Sequence, residues 1–598
     1  MPNLESINLY RYYERLIKFE VSVEYAVTLA DVADTMATSP RHARSVLKQM
    51  TELSWIAWLP KVGRNQRSTL IKKLDRSDVK KLIATEWLKQ SKYDRALEFL
   101  DNDQSTFGQL LQQTAGAQIN EGSVHVQLTY NRSFARLAPN VPHRNSERFL
   151  VRQVHACLVS MSRDGELKPD IAHHWEADER FRKWSFYIRP SVYFHDGARV
   201  NAESIATLLM QLKERDYYRS ELDHLESVEV NHALGFTVSL SRSDTGFAAL
   251  LSDLKYSIQP PQQLEESDLN VVGCGVFSLA EQSSSLLNLS ANERYHGLRS
   301  LTDHVSIWSV SANSQHSNGH SPKNPASCEQ ALVSGSRVNE PYSQKVISHP
   351  EIDLEKEALS STTSRARIED GCMFMIFNQA NPSLSFAQRS WLSQMLSGEK
   401  VWQQLVKNQD TFGAEFASSF FPFWHNVKRI HNRAVELPRE LKIAYYNHPG
   451  ILRSAEAVKQ ILEAKGIGVT LNLYDFDEFV GKAIRGPFNE DIVMSSLNLD
   501  DNRQVSALLF FLSDPVLHAG IGDDVSQWLK AELNKIRADC RPENYLTELE
   551  QIGSLLIHEG IVSPMFHHRQ TLSFQGILKG VEITTWGWPQ IRDVWSAD

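Results

Sequence analysis

The chain has 598 residues, of which 42% are hydrophobic and 23% charged, the composition of an ordinary soluble protein. This length exceeds what one hydrophobic core supports, so we expect roughly two to four lobes. Residues 1–74 hold 11 Lys and Arg against 7 Asp and Glu, a net +4, which leaves −13 for the rest of a chain whose total is −9. Only the N-terminal segment therefore has the charge expected for contact with a polyanion.

The five cysteines are scattered and include no C-x-x-C pair, so neither a disulfide framework nor a zinc site is indicated. The N-terminus lacks the apolar segment and small-residue cleavage site of a secretion signal. No run approaches the ~18 apolar residues of a membrane span. We expect a cytoplasmic protein with reduced thiols and no membrane partner.

Residues 39–73 have the pattern of a helix followed by a hairpin. Ser39 is a typical N-cap and Pro40 suits the first helical turn, where its missing N–H costs nothing. Two apolar runs, residues 55–59 and 68–71, flank a basic turn at residues 60–67. The apolar stripe of this helix, at i, i+3, i+4 and i+7, consists of Ala43, Val46, Leu47 and Met50.

Two further helices precede this segment. Residues 9–19 place Leu9, Tyr12, Tyr13, Leu16 and Phe19 on one helical face. Thr28 and Asp31 resemble a capping box that opens a helix with Leu29, Val32, Ala33 and Met36 on its apolar side. Three helices and a hairpin predict a winged helix-turn-helix with its recognition helix and wing.

Basic and polar residues lie opposite the apolar stripe and in the predicted wing. The N-terminal half of a recognition helix enters the major groove, so we expect these side chains to contact bases or phosphates; the alternative is a merely solvated basic face. We expect Trp55 and Trp58 to pack in the core of this domain. The candidate DNA contacts are Arg41, His42, Arg44, Ser45, Lys48, Arg64 and Arg67.

Residues 77–118 have helical patterns, which suit an inter-domain connector and a dimerisation element equally well. A strand is predicted at residues 124–130. A second strand carries Trp184, Phe186 and Ile188, and a tight turn follows at His195-Asp196-Gly197.

Asn201 is then expected to cap a helix. Residues 311–364 are Ser/Asn-rich and predict a surface excursion with little regular structure. The strand–helix–strand succession at residues 441–446, 454–464 and 469–473 predicts a βαβ unit and a parallel sheet.

Residues 166–205 resemble the signature of periplasmic peptide/nickel-type solute-binding proteins, L-x-P-x-L-A-x-x-W followed by W-x-F-x-L-R-x-x-V-x-F-H-D-G. Residues 272–277 are similar to that family's G-T-G-P-Y turn. Residues 373–378 and 391–402 resemble a strand and a helix of its second lobe. The matching signature residues are Leu167, Pro169, Ile171, Ala172, Trp175, Trp184, Phe186, Ile188, Arg189, Val192, Phe194, His195, Asp196 and Gly197.

A solute-binding domain behind a winged helix is the arrangement of the SgrR-type transcriptional regulators, which the whole chain resembles. Local matches include residues 62–64, 170–175, 189–190 and 587–588, together with Glu369, Gly371 and Cys372. The resemblance implies a regulator that activates a small-RNA gene under sugar-phosphate stress. It implies double-stranded promoter DNA as partner, a small-molecule effector such as a hexose phosphate, and no cofactor; a homo-oligomer is an open possibility.

The expected fold class is a multidomain chain of α+β and α/β type, with a winged helix-turn-helix followed by a two-lobed solute-binding fold. We expect the winged helix at residues 1–75, a helical connector at 76–118 and lobe I at 119–310. Lobe II is expected at 311–566, with a return to lobe I at 567–598. The resemblance implies that the lobes close on ligand about a hinge.

A phosphorylated sugar needs cations or N–H donors for its phosphate and aromatic or amide groups for its ring. His143 lies in the loop after the first lobe strand, and Trp586 near the end of the chain; both are further candidates. For each of these residues a surface ion pair or core packing is the competing interpretation. The candidate ligand contacts are Arg132, Arg144, Ser146, Trp424, His425 and Trp588.

Two histidine pairs, His173-His174 and His567-His568, have no carboxylate or Cys partner at ligand spacing, so we expect structural rather than metal-binding roles. His195-Asp196 is a turn signature in the resembled family, so the resemblance implies a turn and not an acid–base pair.

Three other functions compete with a sugar-phosphate-responsive regulator. A regulator that senses a peptide or another metabolite stays open, because the fold does not specify its ligand. An enzyme is disfavoured because G-x-S-x-G, H-E-x-x-H, the Walker loop and G-x-G-x-x-G are absent. A transport receptor is disfavoured by the lack of a secretion signal.

Overall fold

The computed structural model describes residues 4–61, 66–88, 92–114, 116–120, 122–130, 132–309, 362–427, 434–575 and 578–596. Arg64 in the wing lies outside these residues. So does most of the Ser/Asn-rich stretch, of which only residues 362–364 are described, as the start of a strand.

The N-terminal domain is a winged helix, as predicted. Strand order in its sheet is β1-β3-β2, with both pairs antiparallel. The hairpin β2–β3 is the predicted one, whereas the edge strand β1 was not predicted, because its four residues are at most half-buried. The elements are α1 (Leu4–Arg15), β1 (Glu24–Val27), α2 (Leu29–Thr35), α3 (Pro40–Glu52), β2 (Ile56–Leu59) and β3 (Ser68–Lys72).

The caps of the second and third helices are confirmed. The Ser39 hydroxyl accepts a hydrogen bond from the His42 amide at 3.3 Å. Thr28 and Asp31 form the reciprocal capping box. Because these caps fix where each helix begins, the predicted stripe faces inward. Ala43, Val46, Leu47 and Met50 are all buried.

Three helices follow the winged helix and share its hydrophobic core. Val79, Ile83 and Trp87 belong to the same buried cluster as Tyr13 and Leu47. The predicted helical stretch, residues 77–118, is therefore helical as far as Thr114 and packs onto the DNA-binding domain, whereas residues 116–118 already belong to a strand of the first lobe. We call α1–α6 with β1–β3 the head. The three helices are α4 (Arg76–Leu88), α5 (Tyr93–Phe99) and α6 (Gln104–Thr114).

The first lobe contains a five-stranded sheet of order β12-β13-β14-β5-β4, in which β14 and β5 run parallel. One helix, α7 (Asn145–Val154), and the C-terminal segment of the chain pack against this sheet. The predicted strand at residues 124–130 is β5. The strands are β4 (Gly116–Asn120), β5 (Ser123–Tyr130), β12 (Phe277–Gln282), β13 (Leu286–Ala291) and β14 (His304–Ser309).

A second sheet of the first lobe, of order β10-β11-β9-β8, contains the solute-binding signature. Trp184, Phe186 and Ile188 are buried on β9, as predicted. Two short strands form a separate pair. The elements are β6 (Val159–Met161), β7 (Leu167–Pro169), β8 (Ala172–Ala177), β9 (Lys183–Ile188), α8 (Ala202–Lys213), α9 (Arg219–Leu222), β10 (Leu225–His232), β11 (Gly235–Leu240) and α10 (Phe247–Leu250).

The turn of the signature is structural. Gly197 has φ +92°, a conformation that glycine adopts without steric cost. The amide of His195 donates to the carbonyl of Gly273 at 2.9 Å, and its Nε2 lies 3.2 Å from the carbonyl oxygen of Gly275. His195 thereby ties two turns together. Asn201 caps α8, as predicted.

The second lobe has a seven-stranded sheet of order β15-β21-β16-β20-β18-β19, with β17 added on β21. Strands β18 and β19 are parallel and joined by α13, which confirms the βαβ unit. The strands are β15 (Thr362–Ile368), β16 (Gly371–Phe377), β17 (Ala414–Phe416), β18 (Glu440–Tyr446), β19 (Gly468–Tyr474), β20 (Ile492–Asn498) and β21 (Val562–Gln575).

The helix expected at residues 391–402 is in fact two helices, α11 and α12, interrupted at residues 396–397; Ser397 is the N-cap of the second. The helices of this lobe are α11 (Phe386–Met395), α12 (Gly398–Lys407), α13 (Pro449–Glu463), α14 (Phe476–Arg485), α15 (Arg503–Ser513), α16 (Pro515–Ile521), α17 (Asp523–Asp539) and α18 (Tyr545–His558).

The return to the first lobe comes later than expected. Strand β21 pairs with β15 as far as Gln575, so residues 567–575 remain in the second lobe's sheet rather than starting the return. Only then does the chain cross, and Val581, Trp588 and Val594 are buried in the first lobe. Two strands close this segment, β22 (Leu578–Lys579) and β23 (Trp595–Ser596).

Within the described ranges, no single helix has the length and apolar character needed to cross a membrane. One bent pair, α15 with α16, meets the criteria of length and composition.

Candidate DNA-binding face and ligand cleft

The exposed side of α3 is polar and basic. All five candidate residues on this helix are exposed, opposite the buried stripe. Lys48 lies 3.7 Å from Glu52 in a solvated pair, and the His42 ring packs edge-on against Tyr12 at 5.3 Å. These exposed side chains are Arg41, His42, Arg44, Ser45 and Lys48.

Arg67, which immediately precedes β3, is exposed to solvent. Hydrogen bonds from Thr28, with the nearby positive charges of Arg67 and Lys18, lower the pKa of Asp31. Trp55 is buried edge-on against Tyr13, as expected for a core residue. The exposed basic side chains of α3 and Arg67 therefore lie on the surface of a domain with a packed hydrophobic core.

A cavity of about 220 Å³ lies between the two lobes, and we call it the cleft. The first lobe contributes the loop before α7 and the first turn of that helix, with Tyr217 and Lys255. The second lobe contributes the ends of β18 and β20 and the starts of α14 and α16. The polar and aromatic lining residues used below are His143, Arg144, Arg148, Tyr446, His448, Phe476, Phe479 and Asp514.

Arg144 spans the cleft from the N-terminus of α7. Its Nη1 donates to the carbonyl of Asn447 in the second lobe at 3.3 Å, and its guanidinium lies 5.1 Å from the centre of the Phe476 ring. Among the described residues, Arg144 has no carboxylate within ion-pair distance. A cation in this position is available to an anionic ligand.

Arg148, one helical turn further along α7, joins the lobes at the base of the cleft. It forms an ion pair with the buried Asp500 and donates to the carbonyl of Asn498 at 2.9 Å. Arg152 lies 3.5 Å from Asp500, and the indole Nε1 of Trp586 donates to Asp500 at 3.0 Å. The carboxylate of Asp500 is therefore neutralised by the protein's own cations.

Lys255 is neutralised in the same way by Glu221, with which it forms an ion pair. Ser513 and Tyr256 each donate to that carboxylate at 2.5 Å. Burial is the largest single influence and would lower the pKa of Lys255, but the charge and hydrogen bond of Glu221, together with Tyr217 and Asp253, raise it overall. Because Ser513 belongs to the second lobe, its hydrogen bond to Glu221 also joins the two lobes.

Two histidines of the cleft are uncharged near neutral pH. Burial lowers the pKa of His143, and burial with the nearby His568 and Arg144 lowers the pKa of His448 to about 3. The Nε2 of His143 lies 2.7 Å from the carbonyl of Ala138 and donates to it, which leaves Nδ1 as an acceptor. Among the described residues, both Nδ1 atoms are buried without hydrogen-bond partners.

Of the residues expected to contact ligand, Arg144 lines the cleft, as does His143, and others do not. Arg132 forms a two-point ion pair with Glu147, at 2.5 and 3.0 Å. Ser146 is fully buried, with its hydroxyl 2.5 Å from that of Tyr130. Neither residue lines the cleft: Glu147 holds the guanidinium of Arg132, and the Ser146 side chain points from α7 into the interior.

The tryptophans and His425 are also corrected. Trp588 is fully buried against Phe149 in the first lobe, and Trp424 packs edge-on against Phe421 at 4.4 Å in the second. The side chain of His425 is 95% exposed and pairs with Glu550 at 2.8 Å. Core packing rather than ligand contact explains both tryptophans. Trp586 reaches Asp500 beneath the cleft.

Of the lining residues named above, the sequence analysis predicted only His143 and Arg144. Arg148 follows Arg144 by one helical turn, a spacing that places both on one face. His448, Phe476 and Asp514 come from separate segments, and only the folding of the second lobe brings them together.

The histidine pairs have structural contacts. The Nδ1 of His567 lies 2.7 Å from the carbonyl of Gly371, and that of His568 lies 3.2 Å from Glu369. His173 and His174 are exposed beside Tyr187. No group of three or more potential metal ligands is found in the described part of the chain.

Comparison with known families matches both halves of this arrangement. Residues 8–122 match the family described as "Sugar transport-related sRNA regulator N-term", and residues 166–324 match "Bacterial extracellular solute-binding proteins, family 5 Middle". The oligopeptide-binding protein AppA from Bacillus subtilis has the same fold, with a TM-score of 0.58 at 14% identity; the match covers 79% of this chain and 99% of AppA. The chain is thus a two-lobed solute-binding fold with an N-terminal winged-helix head.

Curated proteins that are similar along nearly the whole chain define the class of protein more closely. The protein is 24% identical over 577 residues to the HTH-type transcriptional regulator SgrR of Yersinia enterocolitica, covering 95% of each chain. It is 24% identical to SgrR of Photorhabdus laumondii, covering 99% of each chain. The protein is therefore a relative of the SgrR-type regulators over nearly its whole length.

Asp514 gives the cleft a testable pH dependence. Burial raises the pKa of this carboxyl from 3.8 to about 6, although it accepts the Leu517 amide at 2.8 Å as the N-cap of α16. Because folding disfavours its charged form, Asp514 lowers the free energy of unfolding as pH rises from about 4 through 6.

We expect Asp514→Asn, which keeps an N-cap acceptor without the charge, to raise the melting temperature relative to wild type at about pH 7.5. At about pH 4 the native carboxyl is protonated and the unfolded one, with its ordinary pKa of 3.8, is only about half ionised, so most of the gain should be lost. Differential scanning calorimetry at both pH values measures the difference. An equal shift at the two pH values would contradict the raised pKa.

Proposed function

We propose that this chain is a DNA-binding transcriptional regulator that responds to a small anionic ligand held in the cleft, and that the ligand is a sugar phosphate. The observation that carries the proposal is the presence of two parts in one chain: a winged helix with an exposed basic recognition helix, and an interlobe cleft with a cation, Arg144, that has no carboxylate partner in the described ranges. Function in a sugar-phosphate stress response follows from the SgrR-type relatives.

The DNA half of the proposal rests on α3. Its buried stripe fixes the helix against α1 and α2, so Arg41, Arg44 and Lys48 project together from the opposite side. Arginine and lysine contact guanine edges and phosphates in the major groove. We propose that all seven candidate residues, including Arg64 in the wing, form the DNA-contacting set, and that the protein activates its target gene in the cytoplasm, where bacterial DNA lies.

The ligand half rests on the charges of the cleft. The carboxylates of Asp500 and Glu221 are occupied by Arg148 and Lys255, whereas Arg144 has no such partner among the described residues. Phosphate takes charge-assisted hydrogen bonds from a guanidinium. The Nδ1 atoms of His143 and His448, which have no hydrogen-bond partner within the described part of the chain, suit the hydroxyl groups of a sugar.

Aromatic side chains support the same ligand class. Tyr446, Phe476 and Phe479 line the cleft and give it apolar walls beside its polar groups. Such mixed lining is typical of small-molecule sites. Among the candidates from the sequence we retain Arg144 and His143 as ligand contacts, and we add His448.

A second candidate function is the sensing of a peptide. A groove of about 720 Å³ meets the cleft at Tyr217, Ser513 and Pro515 and gives room for a longer ligand. AppA, which shares the fold, is described in complex with a nonapeptide. Competition between a peptide pool and a sugar phosphate distinguishes the two candidates.

The first test removes cations from the recognition helix. We expect Arg41→Ala and Arg44→Ala each to weaken binding to the DNA upstream of the protein's own gene by about 1–3 kcal/mol where the side chain contacts a base. Lys48→Ala should reduce the dependence of log K on log salt by about one unit if Lys48 contacts a phosphate. Fluorescence anisotropy titrations at two salt concentrations measure both.

Arg180→Ala, which removes an exposed arginine from the first lobe, is the control and should leave DNA affinity unchanged. If the three head variants bind as wild type does, α3 is a solvated basic face and not the recognition helix.

The second test removes Arg144, the cleft cation without a carboxylate partner among the described residues. We expect Arg144→Ala to weaken the binding of glucose 6-phosphate by roughly ten- to a hundredfold, because a hydrogen bond to a charged group contributes about 1.5–3 kcal/mol. Isothermal titration calorimetry of the full chain measures the change, again with Arg180→Ala as the matched loss of an arginine. Equal affinity in Arg144→Ala and wild type would rule out Arg144 as the phosphate contact.

A further inference from the structure

Trp308 belongs to one domain by sequence and to another by packing. It stands near the end of β14 in the first lobe, yet its side chain is buried in the hydrophobic core of the head. The indole lies 4.7 Å from the Tyr93 ring and 5.5 Å, edge-on, from the Phe107 ring. The head is therefore attached to the lobe through a shared core.

Neighbouring strands add polar contacts to this attachment. Gln127 on β5 accepts from the hydroxyl of Tyr93 at 3.2 Å and donates to the carbonyl of Leu111 at 3.3 Å. Leu286, opposite Trp308 in the β13–β14 register, packs against the same core. Helices α5 and α6 therefore pack against one face of β5, β13 and β14.

The opposite face of β5 supports the cleft. Side chains alternate along a strand, so Tyr130 points away from the face that carries Gln127. The Tyr130 hydroxyl lies 2.5 Å from that of Ser146 in the first turn of α7. Arg144 and Arg148 project from this turn into the cleft, so one strand lies between the ligand-contacting turn and the head.

We propose that Trp308 is the anchor that transmits ligand occupancy from the cleft to the DNA-binding head. The proposal rests on the regulatory function proposed above. A ligand bound to Arg144 acts on the first turn of α7, and α7 contacts β5 through Tyr130. Because Trp308 is locked between α5 and α6, a displacement of β5 and β14 carries the head with it. Without the indole, the head and the lobe lose their common core.

Hydrogen exchange tests the anchor without any ligand. In Trp308→Ala, amides of α5 and α6 should exchange at least tenfold faster than in wild type, while those of α7 are unchanged. Trp308→Phe should restore most of the protection. Gln127→Leu is a milder second variant, and Trp528→Ala, at a 37% exposed position of the second lobe, controls for loss of a tryptophan.

The second measurement is the DNA affinity with and without saturating glucose 6-phosphate. We expect wild type to change its DNA affinity at least fivefold, in either direction, and Trp308→Ala to change it less than twofold. Trp308→Ala should keep the ligand affinity and the ligand-free DNA affinity of wild type within threefold. Only a transmitting role predicts loss of the coupling with both affinities retained.

The outcomes separate the two proposals. Full coupling or unchanged exchange in Trp308→Ala overturns the anchor. A wild type that binds DNA but is indifferent to glucose 6-phosphate contradicts the proposed ligand response, and hydrogen exchange then decides whether Trp308 holds the head. If Trp308→Ala does not fold, Gln127→Leu must show faster exchange and reduced coupling, or the anchor is rejected.

Discussion

The ion pair between Arg148 and Asp500 holds the two lobes together at the base of the cleft. It joins α7 of the first lobe to the end of β20 in the second, directly beneath the cleft. Asp500 is fully buried, so removing Arg148 would destabilise the fold and leave Arg152 and the Trp586 indole as the partners of this charge. Together with other ion pairs between the lobes, such as that of Arg537 with Asp244, it holds the lobes against each other. It also withdraws Asp500 from ligand binding, whereas Arg144 has no carboxylate partner among the described residues.

The same helix links ligand chemistry to the rest of the molecule. The first turn of α7 faces the cleft with Arg144 and the interior with Ser146, which contacts β5 through Tyr130. On the other face of β5 lies the head, whose core extends from Trp308 to the buried stripe of the recognition helix. One sheet of the first lobe therefore has the sensor on one side and the DNA-binding domain on the other.

The winged helix was predictable because its determinants are local: two capped helices, a stripe at helical spacing and a basic hairpin. Strand β1 was missed because its pattern is that of a half-exposed edge. Of the cleft residues, only His143 and Arg144 were predicted, and both lie immediately before α7. Trp424 and Trp588 were misassigned because aromatic side chains suit a core and a sugar site equally, and local sequence does not distinguish them. His448, Phe476 and Asp514 meet only through the topology of the second lobe.

The central claim is that ligand and DNA binding are coupled in one chain, and coupling of binding free energies is reciprocal. The most direct measurement is calorimetric titration of the full protein with glucose 6-phosphate, with and without a saturating amount of the DNA upstream of its own gene. The account predicts that DNA changes the ligand affinity by the same factor by which the ligand changes the DNA affinity. A protein that binds both with affinities indifferent to each other would contradict it.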